Sequence, residues 1–103
     1  MRQIQEFSRK LAREFRPERI VLFGSHARGS ATADSDVDLL IVLPFEGKPV
    51  TKSVEIRMRL RPSFPVDLIV HTPSKVRERL NMDDPFLRDI LEQGKVLYEA
   101  PDV

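Results

Sequence analysis

Ile4, Phe7, Leu11 and Phe15 recur every three or four residues with Arg, Lys, Glu and Gln between them. That is the period of one helical face, so residues 2 to 15 are predicted to form an amphipathic helix stopped by Pro17. The pattern then changes. Arg19 to Phe23 is a short run of branched apolar residues ending at Gly24-Ser25, which reads as a buried strand entering a tight turn. Residues 25 to 33 are small and polar and suit a short helical turn. Val37 to Leu43 is nearly continuous Val, Leu and Ile, the signature of a strand covered on both faces. Pro44 to Pro49 holds two prolines and a glycine and must be a loop, whereas Pro65 to Val70 repeats the composition of the second strand. Between these strands Val54, Ile56, Met58 and Leu60 alternate with Glu55, Arg57, Arg59 and Arg61, and period alone argues for a third extended segment. The matching Asp-Leu patterns of the flanking strands suggest parallel neighbours, however, and a parallel pair needs a crossover that is usually helical. Residues 51 to 61 are therefore assigned to a helix against their own alternation.

Thr72-Pro73 and Asp84-Pro85 each place a capping side chain before a proline at the first helical position. Two further helices are expected, the second carrying Phe86, Leu87, Ile90 and Leu91 and ending at Gly94. Lys95 to Glu99 resembles a closing edge strand, and residues 100 to 103 are expected to fray. The whole chain, 103 residues and 11.9 kDa, is the size of one domain. An α/β class follows, with a small sheet of three to four strands flanked by helices. Apolar residues make up 41% and charged ones 32%, too hydrophobic for a disordered chain and too charged for a membrane one. The longest uncharged apolar run, Leu39 to Phe45, is far too short to span a bilayer, so a cytoplasmic location is expected. Seventeen basic and sixteen acidic residues leave a net charge of +1, and no global field attracts nucleic acid or membrane. The absence of cysteine removes disulfide scaffolds, thiolate metal sites and cysteine nucleophiles.

The chemistry left is concentrated between the first two strands, in Gly24-Ser-His-Ala-Arg-Gly-Ser-Ala-Thr-Ala-Asp-Ser-Asp-Val-Asp38. A glycine and a serine at a strand end opening a helix can cradle phosphate, because the backbone approaches closely and its N–H groups face the anion. Any strand-to-helix turn favours the same residues for local reasons. Asp36 and Asp38, two apart at the start of a strand, can reach one point at its mouth. Oxygen ligands so placed suit Mg²⁺, which takes one or two carboxylates plus substrate phosphates; the plain alternative is a polar turn capped by Asp. Asp67 tips that balance. It interrupts an otherwise apolar strand, where burying an unpaired charge is costly, and in an adjacent parallel strand it would lie beside Asp38.

At these residues the sequence resembles the minimal nucleotidyltransferases of the DNA polymerase beta-like superfamily. Their pattern is Gly-Ser, ten residues, Asp-x-Asp, then an Asp in a later strand, and ten residues separate Ser25 from Asp36. The fuller form, Gly-Ser-x-Ala-Arg-Gly followed by Ser-Asp-x-Asp-Leu, is matched by Gly24 to Gly29 and Ser35 to Leu39. The resemblance covers residues 2 to 72 by element order. It implies a mixed sheet, with strand one antiparallel to strand two and strand three parallel to it. It further implies that Asp36, Asp38 and Asp67 are the catalytic residues and bind one or two Mg²⁺, Asp67 also helping to deprotonate an acceptor hydroxyl. Gly24 and Ser25 would hold the nucleotide triphosphate, most simply ATP. Arg28 is a further phosphate contact or, alternatively, a structural partner of Asp34 or Asp36.

Minimal nucleotidyltransferases commonly pair with helical HEPN proteins as antitoxins that move AMP to a toxin tyrosine. The resemblance thus implies a protein adenylyltransferase with a HEPN-type partner, the chain being a single module without an acceptor-binding domain. The alternative is a non-catalytic module that neutralises a helical partner by contact, against which the full carboxylate trio argues. A nucleic-acid-extending polymerase core is disfavoured, for the chain shows neither a basic groove nor stacking aromatics. Self-association, the base and the acceptor are left open. Ser30-Ala31 stands where a P-loop needs Lys-Ser/Thr, which rejects that reading of Gly24 to Gly29. His26, His71 and the cluster Arg57, Arg59 and Arg61 are read as solvated side chains.

Overall fold

A computed structural model describes residues 1–101. Helix α1 (Arg2–Phe15) follows its apolar stripe, burying Ile4, Phe7 and Leu11. It stops at Arg16, whose left-handed backbone returns its N–H to the Ala12 carbonyl. Strand β1 (Arg19–Phe23) leads into the short helix α2 (Ser25–Arg28), and β2 (Val37–Val42) follows. The stretch that alternates like a strand is helix α3 (Pro49–Leu60), which is the crossover to β3 (Val66–His71). Helices α4 (Pro73–Asn81) and α5 (Pro85–Gln93) precede β4 (Lys95–Glu99). Their caps work as the sequence suggests. The Thr72 hydroxyl accepts the Lys75 N–H at 3.1 Å, and an Asp84 carboxylate oxygen accepts those of Phe86 and Leu87 at 3.0 and 3.2 Å.

The sheet runs β3-β2-β1-β4. β1 pairs antiparallel with β2 and β4, and β2 pairs parallel with β3, so the mixed arrangement implied by the family resemblance is present, with four strands. Side chains of β2 alternate between two cores. Val37, Leu39, Ile41 and Leu43 join α1 and Ile56 of α3 on one face, while Leu40 and Val42 join Val21 and Ile90 of α5 on the other. The strand is apolar throughout because both faces are covered.

Two expectations change. Ala100, placed in a frayed tail, donates its N–H to the Glu18 carbonyl at 2.9 Å and extends the edge of the sheet; residues 102–103 of that tail lie outside the described residues. Arg57 and Arg59 of the basic cluster are also tied down rather than merely solvated, while Arg61, just past α3, is exposed. Arg57 donates to the Val66 carbonyl at 2.8 Å, and Arg59 lies 3.6 Å from Glu14 and over the Phe15 ring. These contacts fasten the crossover helix to α1 and to the start of β3. Among the described residues no helix is long and apolar enough to cross a membrane.

Candidate active site

Antiparallel pairing places the end of β1 beside the start of β2, and parallel pairing places the start of β3 there as well. Phe23, Asp38 and Asp67 are thus successive partners across three strands, Phe23 opposite Asp38 and Asp38 opposite Asp67. Strand alternation sends Asp38 to the face that carries α4 and α5, since its neighbours Val37 and Leu39 point to the other core. Asp67, flanked by Val66 and by Leu68 on that other side, shares the face with Asp38.

Gly24 closes the site from the β1 side. Its backbone (φ 75°, ψ −156°) lies in a region essentially reserved for glycine, and a Cβ there would overlap the Asp38 carboxylate oxygen. The main chain therefore approaches Asp38 as closely as only glycine permits. Ser25, half-buried, is the first residue of α2 and directly follows Gly24, so it stands at the same end of the sheet as the carboxylates.

Burial first, then the Asp67 and Asp36 charges and a contact with Asp67 close enough to share a proton, raise the Asp38 carboxyl above its ordinary range; His26 pulls the other way. Like charges are gathered here with little to balance them. The fit to Mg²⁺ is good on donor chemistry, an all-oxygen carboxylate pair with the Gly24 backbone packed closely against Asp38. Among the described residues no group of three or more His, Cys, Asp or Glu forms a ready cage for a metal. Asp38 and Asp67 form the adjacent pair, with Asp36 exposed at the mouth of β2. Two carboxylates completed by substrate oxygens is the arrangement Mg²⁺ favours over an all-protein site.

A raised carboxyl pKa has a defined sign for stability. In the folded, metal-free chain Asp38 holds its proton to higher pH than in the unfolded chain, so its stabilising share is full at low pH and is lost as pH rises through the raised value. Asp38→Asn should therefore melt a few degrees above the parent in EDTA at neutral pH, the gap closing as pH falls toward the ordinary carboxylate range. Melting curves over a pH series check this, and equal melting temperatures at neutral pH would mean that the carboxylates do not strain one another.

Asp67 is not desolvated in the way its apolar neighbours in the sequence suggest. Asp67 is exposed, because β3 is an edge strand and the residue stands at its open end, so register with Asp38 singles it out rather than desolvation. Arg28 is exposed, and among the described residues it makes no ion pair with Asp34 or Asp36. It lines a cleft with Gly24, Ala27 and Phe23 on one wall and Asp89 and Gln93 of α5 on the other. His71 lies at the far end of β3 from Asp67, outside the site. Its imidazole pKa is lowered by burial and by Arg79 and Lys75, with Asp84 opposing.

His26 is the residue that sequence reasoning undervalued. Its Nε2–H donates to the Ser35 carbonyl at 3.2 Å, tying α2 to the turn in which Ser35 Oγ accepts the Thr32 N–H at 2.9 Å. That tie fixes the residue immediately before Asp36. The only signal was its place inside the Gly-Ser-x-Ala-Arg-Gly string.

Known proteins share this sequence pattern and this fold. A protein of Methanocaldococcus jannaschii whose name describes it as a protein adenylyltransferase is 34% identical over 97 residues, covering 92% of this chain and 94% of that protein. Two crystal structures share the fold. One, described as a nucleotidyltransferase from Sulfolobus solfataricus, has a TM-score of 0.67 at 21% identity and covers 98% of this chain and 81% of its own. The other, a toxin-antitoxin structure with AMP-PNP, has a TM-score of 0.63 at 24% identity and covers 94% and 74%. The model of the nucleotidyltransferase domain family matches residues 4–99, and with a relative of this identity along nearly its full length the chain belongs to that family.

Proposed function

We propose that this nucleotidyltransferase is a Mg²⁺-dependent protein adenylyltransferase that moves AMP from ATP to a hydroxyl of a partner protein, a tyrosine of a HEPN-type toxin being the favoured acceptor. The observation that carries the chemistry is the adjacency of Asp38 and Asp67 in the parallel register, with the Gly24 backbone against Asp38. The name of the archaeal relative supports protein as the acceptor class, and the toxin-antitoxin neighbour supports the setting. In this reading the chain acts in the cytoplasm as one catalytic domain.

Gly24 and Ser25 hold the triphosphate through backbone N–H groups and the hydroxyl, and Arg28 adds a guanidinium to its distal oxygens. Asp36, Asp38 and Asp67 would hold one or two Mg²⁺, which when bound supply positive charge to the entering and leaving oxygens of an in-line displacement. Asp67, exposed on the edge strand, is open to an incoming hydroxyl and accepts its proton. The hydroxyl oxygen forms a bond to the α-phosphorus as the bond to the bridging oxygen breaks and pyrophosphate leaves.

The test is incubation of the purified chain with Mg²⁺, labelled ATP and the co-expressed product of a neighbouring gene, followed by mass spectrometry. Addition of one AMP to a tyrosine of that product is the expected result. Efficient modification of a free small molecule, with no labelled protein in a lysate, would overturn the protein-acceptor assignment.

A further inference from the structure

Phe86, Asp89 and Gln93 are three and four residues apart along α5 and so share one helical face. Asp89 and Gln93 line the cleft beside Gly24 and Arg28, and Phe23 lines it too. Phe23 also carries Phe86: the two rings meet edge to face, centroids 6.0 Å apart and planes at 87°. Phe86 is nonetheless 56% exposed. A ring positioned by a neighbouring ring yet left mostly bare does little for the core. Its location is more telling. Phe23 is the register partner of Asp38, and Asp38 of Asp67, so Phe86, set against Phe23, is one ring removed from the strand position that faces Asp38, at the same end of the sheet.

We propose that Phe86 is the stacking surface for the base of the nucleoside triphosphate, an inference that rests on the nucleotidyl-transfer reading of the site. With the triphosphate at Gly24-Ser25 and the α-phosphate at Asp38 and Asp67, the nucleoside must leave the phosphates along one wall of the site. On the α5 side, Phe86 offers an exposed aromatic surface set against Phe23. A fixed aromatic ring stacks any base without needing to read its edge, so Phe86 binds adenine and guanine nucleotides alike.

The chain contains no tryptophan and one tyrosine, which makes Phe86→Trp a single-tryptophan reporter when excited selectively at the indole. Calorimetric titrations in Mg²⁺ would compare AMP-PNP with inorganic tripolyphosphate, which has the phosphates without the nucleoside. Phe86→Ala should bind AMP-PNP about tenfold more weakly and bind tripolyphosphate as the parent does. Phe86→Trp should restore AMP-PNP affinity, with an emission that AMP-PNP changes and tripolyphosphate does not. The proposal is overturned if Phe86→Ala binds AMP-PNP like the parent, as it would were Phe86 a contact for the protein acceptor. It is overturned equally if both ligands weaken together or if the tryptophan ignores AMP-PNP. A parent chain that binds neither ligand would instead overturn the nucleotidyl-transfer reading, and this one with it.

Discussion

Asp67→Asn and Asp38→Asn are each expected to slow AMP transfer by at least about a hundredfold, with the fold intact. Losing a positioned acid-base group alone costs about 10²–10⁴ in rate, and these residues would also lose a charged ligand to the metal. Asn keeps the shape of the side chain, so the loss is one of charge. Asp67 is exposed on the edge strand, and its replacement should not lower the melting temperature, since it removes a charge that Asp38 is repelled by. Asp38→Asn in EDTA should even raise it. Initial rates with labelled ATP, beside circular dichroism of each variant, check both halves of the expectation. An Asp67→Asn enzyme that works at the parental rate would remove Asp67 from the chemistry, whatever its place in the register.

Gly24→Ala should be more damaging than its single methyl suggests. The backbone at this position costs about 1–3 kcal/mol for a residue with a side chain, and the added carbon would overlap the Asp38 carboxylate oxygen. Either the β1–α2 turn moves or Asp38 does. Both displace the phosphate cradle from the carboxylate pair, so activity should fall about a hundredfold or more, a displacement of about 1 Å being enough for that. The melting temperature should drop by roughly 5–15 °C for a domain of this size. Gly29→Ala is the control. It also has a positive φ, but a Cβ there meets nothing within 4 Å, so stability should fall while the rate of the folded fraction holds. If both glycine variants lost only stability, the close approach to Asp38 would have no catalytic consequence.

Much of this architecture could be read from apolar period because burial and period agree along most of the chain. α1 shows one stripe and buries it; β2 is apolar on both faces and is covered on both. α3 is the exception. Its alternation has no burial behind it, for only Ile56 is buried while Val54 is 52% and Met58 71% exposed. Connectivity, not composition, identified it as a helix, since the parallel strands it joins must be bridged. The carboxylates were legible as residue types at fixed spacing. Their environment was not, because the depth of Asp67 depends on which strand ends the sheet, and no local pattern carries that. The His26 tie to Ser35 spans nine positions in the chain and has no periodic signature at all.

The sheet has unequal sides. Among the described residues, the face against α1 and α3 holds the larger buried cluster, twelve residues from Ile4 to Val70, and the face beneath α4 and α5 holds four. Asp38, Asp67, Phe23 and Phe86 all belong to the thinner side. Cohesion and reactivity are thereby assigned to opposite surfaces of one layer. Sequence drift in α4 and α5 can reshape what approaches Asp38 and Asp67 while the thick side keeps the molecule folded.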